Sequence, residues 1–322
     1  MTGVLDTLTA AALGELGFDA IGVTSADPLP DEERLRRWLA AGSHGAMAYL
    51  ERTAGQRAHP RSLLATARSV LVCAVSYHDS AVDDPEESAA GDRMQIARFA
   101  RRRDYHRVLR RQLIRLGRIL EGAVPGSQWR VTVDSSPLLE KALARRAGLG
   151  WIGRNTLLIH PELGSELLLG CLLTDVALPT SPPQADRCGD CRACIAACPT
   201  SALQDHRWLE ARWCLSYLTL EHHGPIPGHL GSRLGDRLAG CDECQRVCPF
   251  NRLPARPVPL LPACSGLLGH RRSDLERISP DEWRLLVRGT PLERLDFERF
   301  RRNLAASRSP RQGGPSTKGS PP

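Results

Sequence analysis

In the stretch "DYHRVLRRQLIRLGRIL", Leu109, Leu113, Leu116 and Leu120 fall on one face of a spiral and Arg107, Arg110, Arg111, Arg115 and Arg118 on the other. That spacing, close to 100° per residue, predicts an amphipathic helix. "ERLRRWLAAG" reads as a second helix ended by glycine, and "PLLEKALARRAGLG" as a third, with Pro137 in its first turn and a glycine stop. The unbroken apolar run in "ARSVLVCAVSYH" predicts a strand buried on both faces, and "QWRVTVDSS" a strand running into a turn. "NTLLIHP" and "ELLLGCLLTD" read as a strand pair. Helices and strands thus alternate over residues 1–180, which predicts an α/β domain within an α+β chain, without specifying the order of its sheet.

The pattern then changes. A proline-rich linker, "PTSPPQADR", leads into a cysteine-rich segment, residues 181–254. A second proline-rich break, "LPARPVPLLPAC", opens a short helical region over 255–305, and 306–322 are low in complexity and expected to be disordered. The most apolar run, "LLLGCLLTDVAL", contains Asp175 and falls short of the roughly 20 residues that a membrane span needs.

Composition narrows the chemistry. Eleven cysteines would suit a disulfide framework, but the opening "MTGVLDTLTAAALGELGFDAIGV" has no basic start, twin arginine or cleavable apolar core. A cytoplasmic chain is expected, in which thiols stay reduced and clustered cysteines point to a metal. Among its 322 residues, Lys and Arg number 43 against 36 Asp and Glu, a formal charge of +7 carried almost wholly by arginine. That balance admits a polyanionic partner without requiring one.

Cys188, Cys191, Cys194 and Cys198, followed by Pro199, fit C-x2-C-x2-C-x3-C-P, the bacterial ferredoxin run whose fourth cysteine ligates the other cluster. The density of thiols and the proline favour iron-sulfur over zinc. Cys241, Cys244 and Cys248, before Pro249, form an incomplete second group in which Val247 breaks the expected spacing. Two [4Fe-4S] clusters need eight thiolates; the two groups supply seven, and Cys214 between them is the eighth. Crossing the terminal cysteines gives cluster 1 as Cys188, Cys191, Cys194 and Cys248, and cluster 2 as Cys198, Cys214, Cys241 and Cys244. Cys73, Cys171 and Cys264 lie in apolar contexts and read as buried thiols.

A two-cluster wire needs a terminus. "VTVDSSPLLEKALARRAGLGWIGRNTLLIHPELGS" places Asp134 at a strand end ahead of a helix, where a carboxylate commonly serves as a cap. This block resembles the epoxyqueuosine reductase family, in which D-x-x-P-x-x-E-x-A-x-x-x-x-A-G-L-G-W-I-G-[KR]-N precedes a two-cluster ferredoxin module. "LGFDAIGVTSADPL", "WLAAGSHGAMAYLERTAGQRAHPRSLLATARSVLV", "ARFARRRDYHRVL", "CLSYLTLEHHGPIP" and "GCDECQRVCPFN" extend the similarity over roughly residues 10–305. Ser136 stands where glycine is frequent in the family, and Arg102 where a small residue is frequent. Some members continue into helical repeats that help embrace tRNA; this sequence stops in a short helical region and a tail.

The resemblance implies reduction of epoxyqueuosine to queuosine in the anticodon loop of tRNA. Electrons would come from an external low-potential donor through two [4Fe-4S] clusters to cobalamin, in a monomer. It implies that Asp134 is the proton donor, its pKa raised by desolvation under the corrin. By motif, Arg57, Ala97, Asp134, Leu158, Leu169 and Ser216 fall where the family touches cobalamin. Cys241, Asp242, Glu243 and Cys244 would bring cluster 2 against the corrin. Lys141, Arg154, Arg107 and Arg111 are candidates for tRNA contact, against the plainer reading of a solvated helix face for the last two. Two alternatives stand beside this one. One is a corrinoid reductive dehalogenase, whose members usually carry the export signal not seen here; the other is a plain electron-transfer ferredoxin, which needs neither Asp134 nor a corrin pocket.

Overall fold

The computed structural model describes residues 1–79, 83, 93–254 and 257–307. Most of the expected disordered tail therefore lies outside the described residues. At the centre is a four-stranded sheet of β1 (Ala20–Ser25), β2 (Ser69–Ser76), β3 (Trp129–Thr132) and β4 (Leu167–Thr174), in the order β1-β2-β4-β3. Every pairing is antiparallel, with Ala20 opposite Ala74, Val72 opposite Cys171, and Thr132 opposite Cys171. All eight β2 residues are buried, because helices cover both faces of the sheet.

One face receives α1 (Thr2–Ala10), with the wider turn that continues it, and α3 (Tyr105–Ala123); α2 (Glu32–Ala40) lies outside the sheet layers. The alternation of the strand sorts the contacts: Leu71, Cys73 and Val75 join Leu8, Leu16 and the four leucines of α3 in one core. Those four α3 leucines are fully buried, each stabilising the fold by up to about 1.5–3 kcal/mol. The helix also carries Gly117, where an added Cβ would come within 2.5 Å of the Trp129 ring. A helix-interior glycine costs about 1 kcal/mol against alanine, and here it lets Trp129 lie against the helix. Val70, Val72 and Ala74 face the other way, onto α4 (Glu140–Arg146) through Ala142, Leu143 and Ala144.

The structure differs from the sequence reading at three points here. Leu158 and Ile159 pair with Ile152 and Trp151 rather than with β4, whose long edges are taken by β2 and β3. The third helix starts at Glu140, three residues after Pro137, so Pro137 lies in the bend before it. Asp134 accordingly caps no helix, the residue ahead of Glu140 being Leu139.

The cysteine-rich segment holds short elements: α5 (Ala193–Ala197), α6 (Leu215–Leu220), β5 (Arg237–Ala239) and α7 (Glu243–Arg246). Strand β5 pairs in parallel with Gln95 and Ile96. Helices α8 (Arg272–Arg277), α9 (Pro280–Leu286) and α10 (Phe297–Ala306) follow. Trp283, Phe300 and Leu304 from that region share a core with Ile96, Ala100, Leu238 and Ala239, so three parts of the chain close over one apolar centre. Arg102 at the family's small-residue position is wholly buried. Its charge is met by Asp83 and by Asp79, the latter at 3.6 Å. No described helix is long and apolar enough to cross a membrane.

Candidate active site and iron-sulfur centres

None of the eleven cysteines forms a disulfide. The thiols sort into two sets by the cysteine charges that act on them. Cys194 feels Cys248 and Cys188, while Cys248 feels Cys188 and Cys191. Cys214 feels Cys198, Cys241 feels Cys214, and Cys244 feels Cys214, Cys241 and Cys198. Burial pushes the thiols of Cys194, Cys214, Cys241, Cys244 and Cys248 up, Cys241 to about 11, and neighbouring thiolates add to it. Such thiols ionise only against a strongly positive centre, which is what a metal or cluster provides. Among the described residues no three His, Cys, Asp or Glu converge on a single-ion site, whereas a tetrahedral zinc would hold its sulfurs about 2.3 Å from one centre. The donor set fits two iron-sulfur clusters.

Their depths differ. Cys191 is exposed, while Cys194 and Cys248 are buried beneath it. The second set sits against the catalytic domain. Asp242 accepts a bond from the Arg98 backbone N–H at 2.7 Å, and Arg98 reaches Glu166 at 3.1 Å, which in turn meets His78 at 2.6 Å. Gln245 on α7 donates to the Ser165 carbonyl and the Tyr77 hydroxyl, both at 3.0 Å. The close approach has a backbone reason: Gly240 has φ +79°, and an added Cβ would meet the Ala97 Cβ at 2.4 Å. Of the remaining cysteines, Cys73 and Cys171 are buried in the sheet as expected, but Cys264 is only half-buried, at the start of a turn that packs beside Arg101.

Asp134 ends the run out of β3 with φ +53°, a left-handed conformation that non-glycine residues other than Asn and Asp adopt reluctantly. Three partners hold it there. Its Oδ2 accepts from the Tyr105 hydroxyl at 2.7 Å and meets His106 Nε2 at 3.1 Å, and its backbone N–H donates to Glu140 Oε1 at 2.9 Å. His106 Nδ1 in turn meets Asp104 Oδ1 at 2.8 Å, and the Tyr105 and His106 rings stack at 4.0 Å. Asp104 caps α3 by accepting from the His106 N–H, so the start of one helix supplies the two side chains that hydrogen-bond the Asp134 carboxylate among the described residues.

The protonation of this group reverses the sequence expectation. The hydrogen bond from His106 holds the Asp134 carboxyl below its ordinary value, overcoming burial, with Tyr105 adding to the effect. Burial lowers His106, but its bonds to Asp134 and Asp104 outweigh that and hold the ring above its ordinary value. Burial, helped by the Asp134 charge, raises Glu140 to about 8. These directions favour the proton on His106 and Glu140 over Asp134. Tyr105, His106 and Glu140 were not singled out as site residues from the sequence; the signal was there in "DYH", which opens a basic helix with an aspartate cap, and in the glutamate six residues after Asp134.

The other candidates divide between two cavities. Arg57, Asp134, Leu169 and Lys141 line one of about 500 Å³, with an apolar wall that includes Leu139, Ile152 and Trp208. Ala97, Cys241, Asp242 and Glu243 line a second of about 520 Å³. Leu158 is buried in the core behind the first, and Cys244 and Ser216 line neither. Of the tRNA candidates, Lys141 donates to the Thr156 carbonyl within the cavity wall, and Arg154 turns to the Gly189 carbonyl beside Cys188. Arg107 is tied to Asp104 and Glu293, while Arg111 stands exposed on α3.

Comparison with known proteins completes the picture. Residues 57–135 match the family described as epoxyqueuosine reductase QueG, DUF1730, and residues 187–251 the 4Fe-4S double cluster binding domain. The chain is 39% identical over 295 residues to the epoxyqueuosine reductase of Pseudomonas aeruginosa, an alignment spanning 90% of this chain and 81% of that one. It belongs to the epoxyqueuosine reductase family. The Escherichia coli member is 34% identical over 309 residues, covering 91% of this chain and 78% of its own. Among solved structures, the Streptococcus thermophilus enzyme superimposes with a TM-score of 0.84 at 28% identity, covering 95% of this chain and 81% of its own. The Bacillus subtilis enzyme, captured with its catalytic aspartate loop swung out of the active site, gives 0.85 at the same identity and coverage. A family member bound to an epoxyqueuosine-modified tRNA-Tyr stem loop gives 0.81, again at 28% identity and the same coverage. The protein is thus an oxidoreductase with an iron-sulfur double-cluster domain at residues 187–251.

Proposed function

We propose that the protein reduces epoxyqueuosine to queuosine in the anticodon loop of tRNA, with cobalamin in the cavity beside Asp134. The observation that carries this reading is the clustering of Asp134, Tyr105 and Glu140 on the wall of a cavity that also holds Arg57, Lys141 and Leu169, with His106 reaching the Asp134 carboxylate from beside it. A large flat cofactor suits that space: the wall is apolar, its rim is polar, and the Gly240 approach brings the second set of cysteines up to Ala97. Arg57 and Leu169 would hold the cofactor in the first cavity; Ala97, Asp242 and Glu243 would meet it from the second. Cobalamin, when bound, supplies a low-potential nucleophilic metal centre able to open an epoxide.

The protein's own residues supply the proton. Opening an epoxide leaves an alkoxide, which must be protonated as it forms. His106 is placed to supply that proton through the 3.1 Å contact to Asp134, which carries it to the alkoxide, with Asp104 holding the ring from behind. Lys141 and Arg57 add positive charge around the developing oxyanion and the tRNA phosphates. The base must leave its stack to reach this depth, and Tyr49, exposed, with the Arg57 guanidinium over one face of its ring at 5.7 Å, adds an aromatic surface beside a cavity-lining residue. Conversion of epoxyqueuosine-containing tRNA by cluster-loaded protein, with and without cobalamin, tests the reading.

The proton inventory fixes the sign of the pH dependence. Turnover needs the proton held by His106, so the rate is fully present below the raised His106 value and falls as pH rises through it. Glu140, raised to about 8, gains negative charge next to Asp134 as pH rises through that value. In the His106→Gln variant the alkaline fall should move to lower pH, because Asp134 then holds its proton without resupply. A pH profile of kcat for both proteins measures it; identical profiles would remove His106 from the proton path.

A further inference from the structure

The Trp151 indole N–H donates to the Cys188 sulfur at 3.4 Å, and nothing in the proton chemistry above uses it. Trp151 belongs to the catalytic domain, following α4 and pairing with Ile159, whereas Cys188 opens the cysteine-rich segment. The indole is 2% exposed. It is clamped by Ile159 and Cys248 in one small core and by the Phe250 ring, edge-on at 4.8 Å. Its orientation is therefore set by packing from two segments. Tryptophan has a single donor and no acceptor, and here that donor is aimed at a sulfur.

The two cysteine sets are unequal in this respect. On the first, a buried indole N–H reaches Cys188, and Cys191 is open to water. On the second, the side-chain contact to sulfur among the described residues is the Thr200 hydroxyl near Cys198 at 3.9 Å, and the charge of Asp242 acts on half-buried Cys244. A donor to a ligand sulfur stabilises the reduced cluster, which carries one more negative charge, more than the oxidised one; solvent exposure acts in the same direction, and burial beside carboxylates in the opposite one.

We propose that Trp151 is a positioning residue for electron entry: its hydrogen bond to Cys188 raises the reduction potential of the cluster held by Cys188, Cys191, Cys194 and Cys248 above that of the inner cluster. The outer cluster is then the site that takes electrons from the external donor and stores them next to the catalytic domain. The inference rests on the assignment of Cys188 to that cluster. Cluster counting tests the assignment, whereas the potential tests the hydrogen bond, so the two can fail separately.

The test is a redox titration of the full, cluster-loaded chain followed by electron paramagnetic resonance, comparing wild type with Trp151→Phe. Phenylalanine keeps an aromatic ring in the Ile159, Cys248 and Phe250 pocket and removes the donor together with one ring of the indole. The expected result is a shift of the outer cluster to more negative potential, with the inner cluster unmoved. Unchanged potentials at full cluster content, or an equal shift of both, would overturn the proposal. If the variant loads clusters poorly, wild type decides alone: with its tryptophans labelled with indole nitrogen-15, hyperfine spectroscopy of the reduced outer cluster should detect the coupled indole nitrogen, distinct from the backbone N–H groups that also face Cys194 and Cys248. Its absence would count against the proposal as firmly.

Discussion

Asp134→Asn is expected to fold, load both clusters, bind the corrin and lose turnover on tRNA by about 10²–10⁴-fold, the range of a positioned acid. Asparagine is the informative choice because it tolerates the left-handed φ of +53° at this position and can still accept from Tyr105 and pair with His106. Alanine would add backbone strain of about 1–2 kcal/mol at that φ to the loss of the acid. The structural alternative makes Asp134 merely a brace that orients the start of α3 through Tyr105 and His106. A brace would be served by asparagine almost as well as by aspartate, with kcat nearly unchanged. Single-turnover kinetics on epoxyqueuosine-containing tRNA separates the two, provided cluster and corrin content are measured on the same sample.

Cys214→Ala should lose about half of the iron and sulfide, since one [4Fe-4S] cluster of two would lack a ligand. This cysteine lies in neither dense group, and its place is argued from counting and from its mutual influence with Cys198, Cys241 and Cys244. The surviving paramagnetic signal should be that of the outer cluster, and turnover should fall to background because the inner cluster is the one beside the Ala97 and Gly240 contact. Cys264→Ala is the control: half-buried and apart from both sets, it should keep full iron. Full iron in Cys214→Ala, or half iron in Cys264→Ala, would reassign the eighth ligand.

Parts of this architecture are legible in the residues alone because their signals are local. The leucine spacing of α3 and the unbroken apolar run of β2 are local to the elements that they build, and the structure buries them as read. The cysteine spacings are likewise local. What failed was pairing over distance. Nothing in "NTLLIHP" says that Leu158 and Ile159 pair back to Trp151 and Ile152, because two-residue ladders leave no periodicity to read. Pro137 looks like a helix start because proline suits a first turn, yet the backbone spends three more residues on the bend that brings the Asp134 N–H to Glu140. The protonation of Asp134 was illegible for a related reason: burial was foreseeable, but the two donors that outweigh it come from a helix that begins 29 residues earlier in the chain, and only the fold brings them together.

The central claim is that this chain joins two iron-sulfur clusters to a cobalamin-dependent reduction of a modified base in tRNA. The most direct test takes anaerobically reconstituted protein with both clusters loaded, supplies a low-potential reductant and epoxyqueuosine-containing tRNA, and follows the nucleosides by mass spectrometry with and without cobalamin. The account predicts queuosine in the tRNA only when cobalamin is present. Conversion without cobalamin, or no queuosine from protein shown to hold both clusters and the corrin, would contradict it.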